Sequence, residues 1–286
     1  MNYDFLQNIM TRAQLPAEAV EDLLSTARAL PKAVTDAMKE GLALYKKDTF
    51  FDFKEQLNKV IDLAPVGLGE AAQLIFSFVL TEHTLALYKQ AGRSDELFDN
   101  MLRDLRVKNE ECQRFHGRNG TFVASWFYRW FTLQRVALER LQFEVRDLPV
   151  AYRHLPAGSN AINVHIPACG PLDHDACLRD YRKIAEIFAE DFQNQDVVFM
   201  CHSWLLHPEH PKFLPPTSRL LAFQADFDIV RFDEDPECKD LWRLFGVPYD
   251  GNPEHLTERN SLERAYKEHL LKGGACGQGL GVFIYK

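Results

Sequence analysis

The residues best suited to chemistry sit in two short segments, His165-Ile166-Pro167-Ala168-Cys169-Gly170-Pro171-Leu172 and Cys201-His202-Ser203-Trp204-Leu205-Leu206. Each opens as the end of a strand-like run, 161–167 and 197–202, and then breaks into proline, glycine and polar residues. An imidazole with its ordinary pKa of about 6.5 can take a proton from an attacking group. A serine hydroxyl can position or protonate a leaving group, and a thiol can carry an acyl group once it is ionised. The segment after His165 has the form of a strand-to-helix loop, where backbone N–H groups meet an anion. A plain structural reading stands beside this one. Pro167 and Gly170 can simply end a strand and start a helix, and Cys201 and Trp204 can pack a core, since cysteine is among the most often buried residues.

Other constellations are poorer. His202, His207 and His210, with Cys201 nearby, run from a strand into a loop holding Pro208, Pro211, Pro215 and Pro216, without HExxH or CxxC spacing, so no metal is expected. The run from Gly273 to Gly281 follows a helix and precedes a strand, the reverse of a dinucleotide fingerprint, and reads as a helix cap and strand entry. No nucleophile elbow or Walker motif is present.

The elements that must position these residues follow from periodicity. Between the two segments, Cys177, Tyr181, Ile184, Ala185, Phe188 and Phe192 fall on one helical face, with Asp173 or Asp175 as N-cap. Strand, amphipathic helix and strand in that order predict a right-handed crossover between parallel strands, with their C-terminal ends side by side, where α/β sheets bind ligands. Leu141, Phe143 and Val145 alternate with polar residues as a further strand, and Asp228–Phe232 and Gly281–Tyr285 complete a sheet. Upstream the period is helical. Val20, Leu23, Leu24 and Ala27 share a face, Glu70–Gln90 is apolar enough to be a central helix, and Ser94 caps a polar helix reaching about Phe115. Thr121 to about Leu138 carries Phe122, Trp126, Phe127, Tyr128, Trp130 and Phe131 and is predicted as an aromatic helix joining the halves. The expected organisation is a helical domain over 1–131 and a mixed domain over 132–286.

Composition narrows the function classes. A formal net charge of −8 opposes the phosphate neutralisation on which nucleic-acid binding rests. No apolar run reaches the roughly 18 residues of a membrane span, and the N-terminus lacks the basic and apolar regions of a signal peptide, so a cytoplasmic location is expected. The six cysteines, without CxxC pairing, read as reduced thiols.

Taken in order, Leu141-Gln142-Phe143-Glu144, His165-Ile166-Pro167 with Gly170 and Leu172, Cys201 through Leu206, Arg243-Leu244-Phe245, Ser261-Leu262-Glu263-Arg264 and Gly277-Gln278-Gly279-Leu280-Gly281 span most of the chain. In that order and spacing the sequence resembles a bacterial group of acyltransferases, with a helical N-acyltransferase N-terminal domain and a C-terminal domain similar to GNAT N-acetyltransferases. The resemblance implies an α+β chain, in which a helical bundle precedes a GNAT-like mixed α/β domain with a largely antiparallel sheet and one parallel strand-helix-strand crossover. It implies transfer of an acyl group from acetyl-CoA or another acyl-CoA, the co-substrate, to the amine of a small-molecule or peptide acceptor, with no nucleic acid or membrane as partner. By position, Ala168, Cys169, Gly170 and Leu172 would approach the cofactor pyrophosphate. The strand ends would flank the thioester, with His165 as general base and Ser203 and Cys201 as further catalytic candidates, Cys201 as pocket wall or transient acyl carrier. The loop departs from the GNAT glycine pattern, since Gly170 is followed by Pro171, which has no N–H. That departure motivates a second reading, a non-catalytic ligand-binding or scaffold protein on a degenerate GNAT-like fold.

Overall fold

The computed structural model describes residues 1–47, 52–193 and 195–285. The chain divides into two compact units, Met1–Ala137 and Leu138–Lys286.

The first unit is helical: α1 (Tyr3–Arg12), α2 (Ala17–Ala29), α3 (Lys32–Lys47), α4 (Phe53–Leu63), α5 (Gly69–Gln90), α6 (Asp95–His116) and the short α7 (Tyr128–Phe131), followed by strand β1 (Arg135–Ala137). Burial on α5 runs round the helix, from Ala71 and Ala72 through Leu74 to Thr81 and on to Thr84 and Tyr88. A helix apolar on all sides belongs at the centre of a bundle, and the core of this unit collects residues of α1 to α7 around it. Ser94 caps α6, its hydroxyl accepting the Leu97 N–H at 3.3 Å.

The aromatic segment after Thr121 does not form the predicted long helix. It makes one 3-10 turn, Ala124–Phe127, then α7, and breaks at Leu133, whose φ is 58°. Crowded rings lose side-chain freedom in a helix and favour it weakly, and Arg93 Nη2 holds the break by donating to the Leu133 carbonyl at 2.6 Å. Phe127, Trp130 and Phe131 are buried in the helical core, where Trp130 Nε1 donates to Asp104 Oδ2 at 3.0 Å.

The second unit carries β2 (Gln142–Asp147), β3 (Asn160–His165), α8 (His174–Ile187), β4 (Val198–Ser203), α9 (His210–Phe213), α10 (Arg219–Gln224), β5 (Asp228–Glu234), α11 (Leu241–Phe245), α12 (Ser261–Leu271) and β6 (Gly277–Ile284). Its strands lie in the order β2-β3-β4-β6-β5. Only β3 and β4 run parallel, joined by α8, whose N-cap Asp173 accepts the Ala176 N–H at 2.8 Å. The other pairs are antiparallel. The fold class is the α+β arrangement anticipated from the pattern, with one parallel crossover in a largely antiparallel sheet.

Register fixes the two faces of this sheet. Phe143 lies opposite Val164, Ile162 beside Phe199, and Phe199 opposite Phe283. Tyr181 of α8 packs on Phe143, Phe199 and Phe283 at ring-centroid distances of 6.3, 5.1 and 5.2 Å. These residues therefore form the α8 face, and Glu144, Asn163, His165, Met200 and His202 belong to the other.

Two corrections arise here. The glycines at 277–281 are not a strand entry but part of β6 itself. A Cβ on Gly279 would stand 2.1 Å from the Leu206 carbonyl oxygen, and one on Gly281 would stand 2.7 Å from Leu206 Cδ1 and Phe227 Cβ, so close approach of the turn after β4 demands glycine. The cysteines are not all thiols: Cys238 and Cys276 form a disulfide with a Cα–Cα separation of 5.3 Å. Spacing of 38 residues along the chain hides a pair that the pairing of β5 with β6 brings together, where the Asp235 N–H donates to the Cys276 carbonyl at 3.0 Å. Cys112, Cys169, Cys177 and Cys201 are free thiols. No helix among the described residues is long and apolar enough to cross a membrane.

Candidate active site

The parallel pair opens at its C-terminal end. Ladder pairing between β3 and β4 covers Ile162 with Phe199 and Asn163 with Met200, whereas β3 continues to His165 and β4 to Ser203. Both strands stay paired with their outer neighbours to the end, Gln142 with His165 and Ser203 with Gly279. The strands thus lose each other while keeping the rest of the sheet. A gap forms whose walls offer backbone groups unused by the ladder, and such groups seek partners.

His165 stands at one wall. Its Nε2 lies 3.3 Å from Glu144 Oε1 and 3.1 Å from Asn163 Nδ2, and all three side chains share the face away from α8. Glu144 is 2% exposed. Asn163 Nδ2 can only donate, so in the neutral ring Nε2 accepts from it and Nδ1 carries the proton; once the ring is protonated, Nε2–H faces the buried Glu144 carboxylate. Glu144 is a site residue that the alternation of β2 concealed, because a polar residue in an alternating strand reads as solvent-facing. Its signal was Gln142 and Glu144, two polar residues on one face of a strand with a neighbour beyond it.

Cys201 and Ser203 project from the opposite face. Cys201 is fully buried, and burial pushes its thiol far above the ordinary range. A thiol without ionised population is no nucleophile, so the transient acyl-carrier role is withdrawn and Cys201 remains as packing beneath α8. Ser203 Oγ accepts the Leu205 N–H at 3.2 Å, capping the single turn Trp204–Leu206. Ser203 closes β4, beyond the last residue paired with β3.

The loop after β3 is wrapped around one side chain. Arg140, 7% exposed, donates from Nη1 to the Pro167 carbonyl at 2.9 Å, from Nη2 to the Gly170 carbonyl at 3.3 Å and from Nε to the Pro171 carbonyl at 2.8 Å, with Nη1 also 3.7 Å from Cys169 Sγ. In a trans peptide the N–H points opposite to the C=O. With the Pro167 and Pro171 carbonyls drawn toward the guanidinium, the Ala168 and Leu172 N–H groups face away from it. Arg140 is itself fixed from below, since Asp180 of α8 accepts the N–H groups of Glu139, Arg140 and Leu141 at 3.1, 2.7 and 2.8 Å. Burial raises the Asp180 pKa, and the three backbone donors oppose that rise. Neither Arg140 nor Asp180 was expected from spacing; both act through backbone atoms, which leave no periodic signature.

The histidines considered for a metal do not converge among the described residues. His202 pairs with Asp233 at 2.9 Å on the face away from α8, whereas His207 and His210 are buried beyond β4 with ring centroids 5.5 Å apart. His210 Nε2 meets the Tyr266 hydroxyl, and burial, with His207 nearby, lowers the His210 pKa to about 3.

Comparison with known proteins assigns both units. Residues 4–133 match the N-acyltransferase N-terminal domain, and residues 136–283 match the GNAT-like C-terminal domain. No curated protein matches the sequence. Among solved structures, an acyltransferase in complex with decanoyl-CoA is 20% identical, with a TM-score of 0.75 over 98% of this chain and 88% of that one. A variant acyltransferase with octanoyl-CoA is 18% identical, with a TM-score of 0.77 over the same shares. An acyltransferase with CoA and 10C-teicoplanin is 20% identical, with a TM-score of 0.76, again over 98% and 88%. The helical unit, the splayed parallel pair and these matches lead to one assignment: the chain belongs to the family of acyltransferases that joins an N-acyltransferase N-terminal domain to a GNAT-like C-terminal domain.

Proposed function

We propose that this acyltransferase takes its acyl group from acyl-CoA at the gap between β3 and β4 and delivers it to the amine of a small-molecule or peptide acceptor, with His165 as general base. The observation that carries the reading is the loss of β3–β4 pairing beyond Asn163 and Met200 while both strands continue. An extended pantetheine arm can hydrogen-bond to strand edges freed in this way, as an added strand does. Ala168, Cys169, Gly170 and Leu172 border the site for the cofactor diphosphate. The outward N–H groups of Ala168 and Leu172 and the buried charge of Arg140 favour an anion there. They substitute for the missing glycine pattern, which removes the motive for a scaffold reading.

The chemistry is one displacement. The amine lone pair forms a bond to the thioester carbonyl carbon, the C–S bond breaks, and sulfur leaves with the electron pair. His165 takes the proton lost by the nitrogen, directly or through water, while Glu144 stabilises the imidazolium that results. Ser203 donates its hydroxyl proton toward the leaving sulfur and recovers one from water. Similar solved structures hold octanoyl-CoA and decanoyl-CoA, which supports testing medium chains beside acetyl-CoA. Calorimetry with acetyl-, octanoyl- and decanoyl-CoA is the direct experiment. Binding of at least one is expected, and no binding by any of them overturns the proposal.

A further inference from the structure

The helical unit contains a cluster that the acyl-transfer site does not use. Glu70 in the first turn of α5 faces Cys112 and His116 in the last turns of α6, and one ligand atom from each lies within 4.8 Å of the others. Cys112 and His116 are four residues apart, so both side chains leave the same face of α6. The His116 ring rests against Phe115 and Phe122, with centroids 4.7 and 4.9 Å away, which fixes the direction of its nitrogens. His116 Nδ1 stands against Glu70 Oε1. His116 Nδ1 and Glu70 Oε2 are both buried atoms, each held by an ion-pair contact, Nδ1 with Glu70 Oε1 and Oε2 with Arg118 Nε. A carboxylate, a thiol and an imidazole gathered this closely are a set that can surround a common cation.

We propose that Glu70, Cys112 and His116 form a binding site for a divalent cation of the zinc class, separate from the acyl-transfer site and confined to the helical unit. A mixed thiolate, imidazole and carboxylate set suits zinc, which binds sulfur at about 2.3 Å and nitrogen or oxygen at about 2.0–2.2 Å. Tetrahedral ligands at those lengths stand roughly 3.3–3.6 Å apart, so His116 Nδ1 and Glu70 Oε1, in contact here, would part slightly, and no pair would need to close by much more than an ångström. Cys112 is fully buried, whereas the side chains of His116 and Glu70 are 29% and 19% exposed, so water reaches a fourth position from their side. Without metal, Arg118 supplies the counter-charge, its Nε 3.1 Å from Glu70 Oε2. Its side chain is 51% exposed and can swing into solvent when a cation takes its place. Binding a cation would displace the proton of the Cys112 thiol. The cation would tie the start of α5 to the end of α6.

Cobalt titration of the full chain tests the site, with the Cys238–Cys276 disulfide left oxidised so that its sulfurs stay out of reach. One equivalent of Co²⁺ is expected to produce a thiolate-to-cobalt charge-transfer band that Zn²⁺ bleaches stoichiometrically, and Cys112→Ser is expected to abolish it. Glu70→Gln and His116→Gln keep the thiol and should weaken Co²⁺ affinity at least tenfold; they carry the same test if Cys112→Ser fails to fold. Zinc should raise the melting temperature of the wild-type chain and not of these variants. Absence of the band in the wild-type protein, its persistence in Cys112→Ser, or unchanged affinity in both Gln variants overturns the proposal.

Discussion

Glu144 Oε1 and His165 Nε2 stand 3.3 Å apart on neighbouring antiparallel strands, with the carboxylate buried and the imidazole at the open end of the sheet. A carboxylate so placed orients the ring and stabilises its protonated form, which is the role of the third member of a nucleophile-base-carboxylate relay. Glu144→Gln keeps the shape and removes the charge. It should lower kcat by about 10- to 100-fold with little change in KM for acyl-CoA, and His165→Ala should cost about 10²- to 10⁴-fold, the range of general-base catalysis. Steady-state kinetics with a saturating amine checks both. Wild-type turnover in His165→Ala would remove the residue from the base role.

Arg140 tests the cofactor loop separately from the chemistry. Arg140→Lys keeps the charge and loses the fork that engages the Pro167, Gly170 and Pro171 carbonyls together. Each buried carbonyl left without a donor costs about 1–3 kcal/mol, so the loop should loosen. The expected result is KM for acyl-CoA raised about tenfold, kcat at saturation nearly kept, and a lower melting temperature. A fall in kcat alone would place Arg140 in the chemistry instead of in the loop.

Sequence reading reached the architecture because the architecture is periodic. The apolar run of α5, the Ser94 cap, the cap at Asp173 or Asp175, the alternation on β2 and the apolar runs of β3 and β4 are local signals, and the structure carries the elements they predict, with Asp173 as the cap. What stayed hidden is non-local. The Cys238–Cys276 bridge depends on β6 pairing with β5, the break at Leu133 depends on Arg93, and the glycines of β6 answer to Leu206 and Phe227 on other segments. At the site, spacing found the strand ends but not the faces. His165 and Cys201 read alike as strand-terminal reactive groups, and only the register of β2 to β6 sends Cys201 beneath α8 and His165 to the other side.

The disulfide makes a prediction about thiol counts as well as stability. Cys112, Cys177 and Cys201 are buried and Cys169 is partly exposed, so a thiol reagent should label Cys169 alone in the folded protein and four thiols after denaturation without reductant. Reduction before denaturation should raise the count to six. Closing a loop with a sequence separation of 38 contributes about 4 kcal/mol in the chain-entropy treatment. Cys238→Ser with Cys276→Ser should therefore lower the denaturation midpoint. Six labelled thiols in the unreduced, denatured protein would refute the bridge.

Acid should unfold the second unit through its buried histidines before its carboxylates titrate. Burial lowers the folded-state pKa of His210 to about 3, and burial with the His269 charge lowers that of His207 as well. In the unfolded chain both should titrate at about 6.5. Above that pH neither state holds the proton, so the histidines contribute nothing to pH dependence. Below it the unfolded state binds protons that the folded state refuses, and stability falls as pH drops from about 6.5 toward 3, by up to about 1.4 kcal/mol per pH unit for each residue. Asp180 and Asp226, whose pKa values burial raises, act in the opposite sense, but in the carboxylate range. The window from pH 6.5 to 5 therefore belongs to the histidines. His210→Gln, which can still meet the Tyr266 hydroxyl, should lose about 2 kcal/mol less than the wild-type chain between pH 7 and 5. Denaturant melts at those two pH values measure the difference, and parallel losses in the two proteins would show that His210 is not the group that titrates.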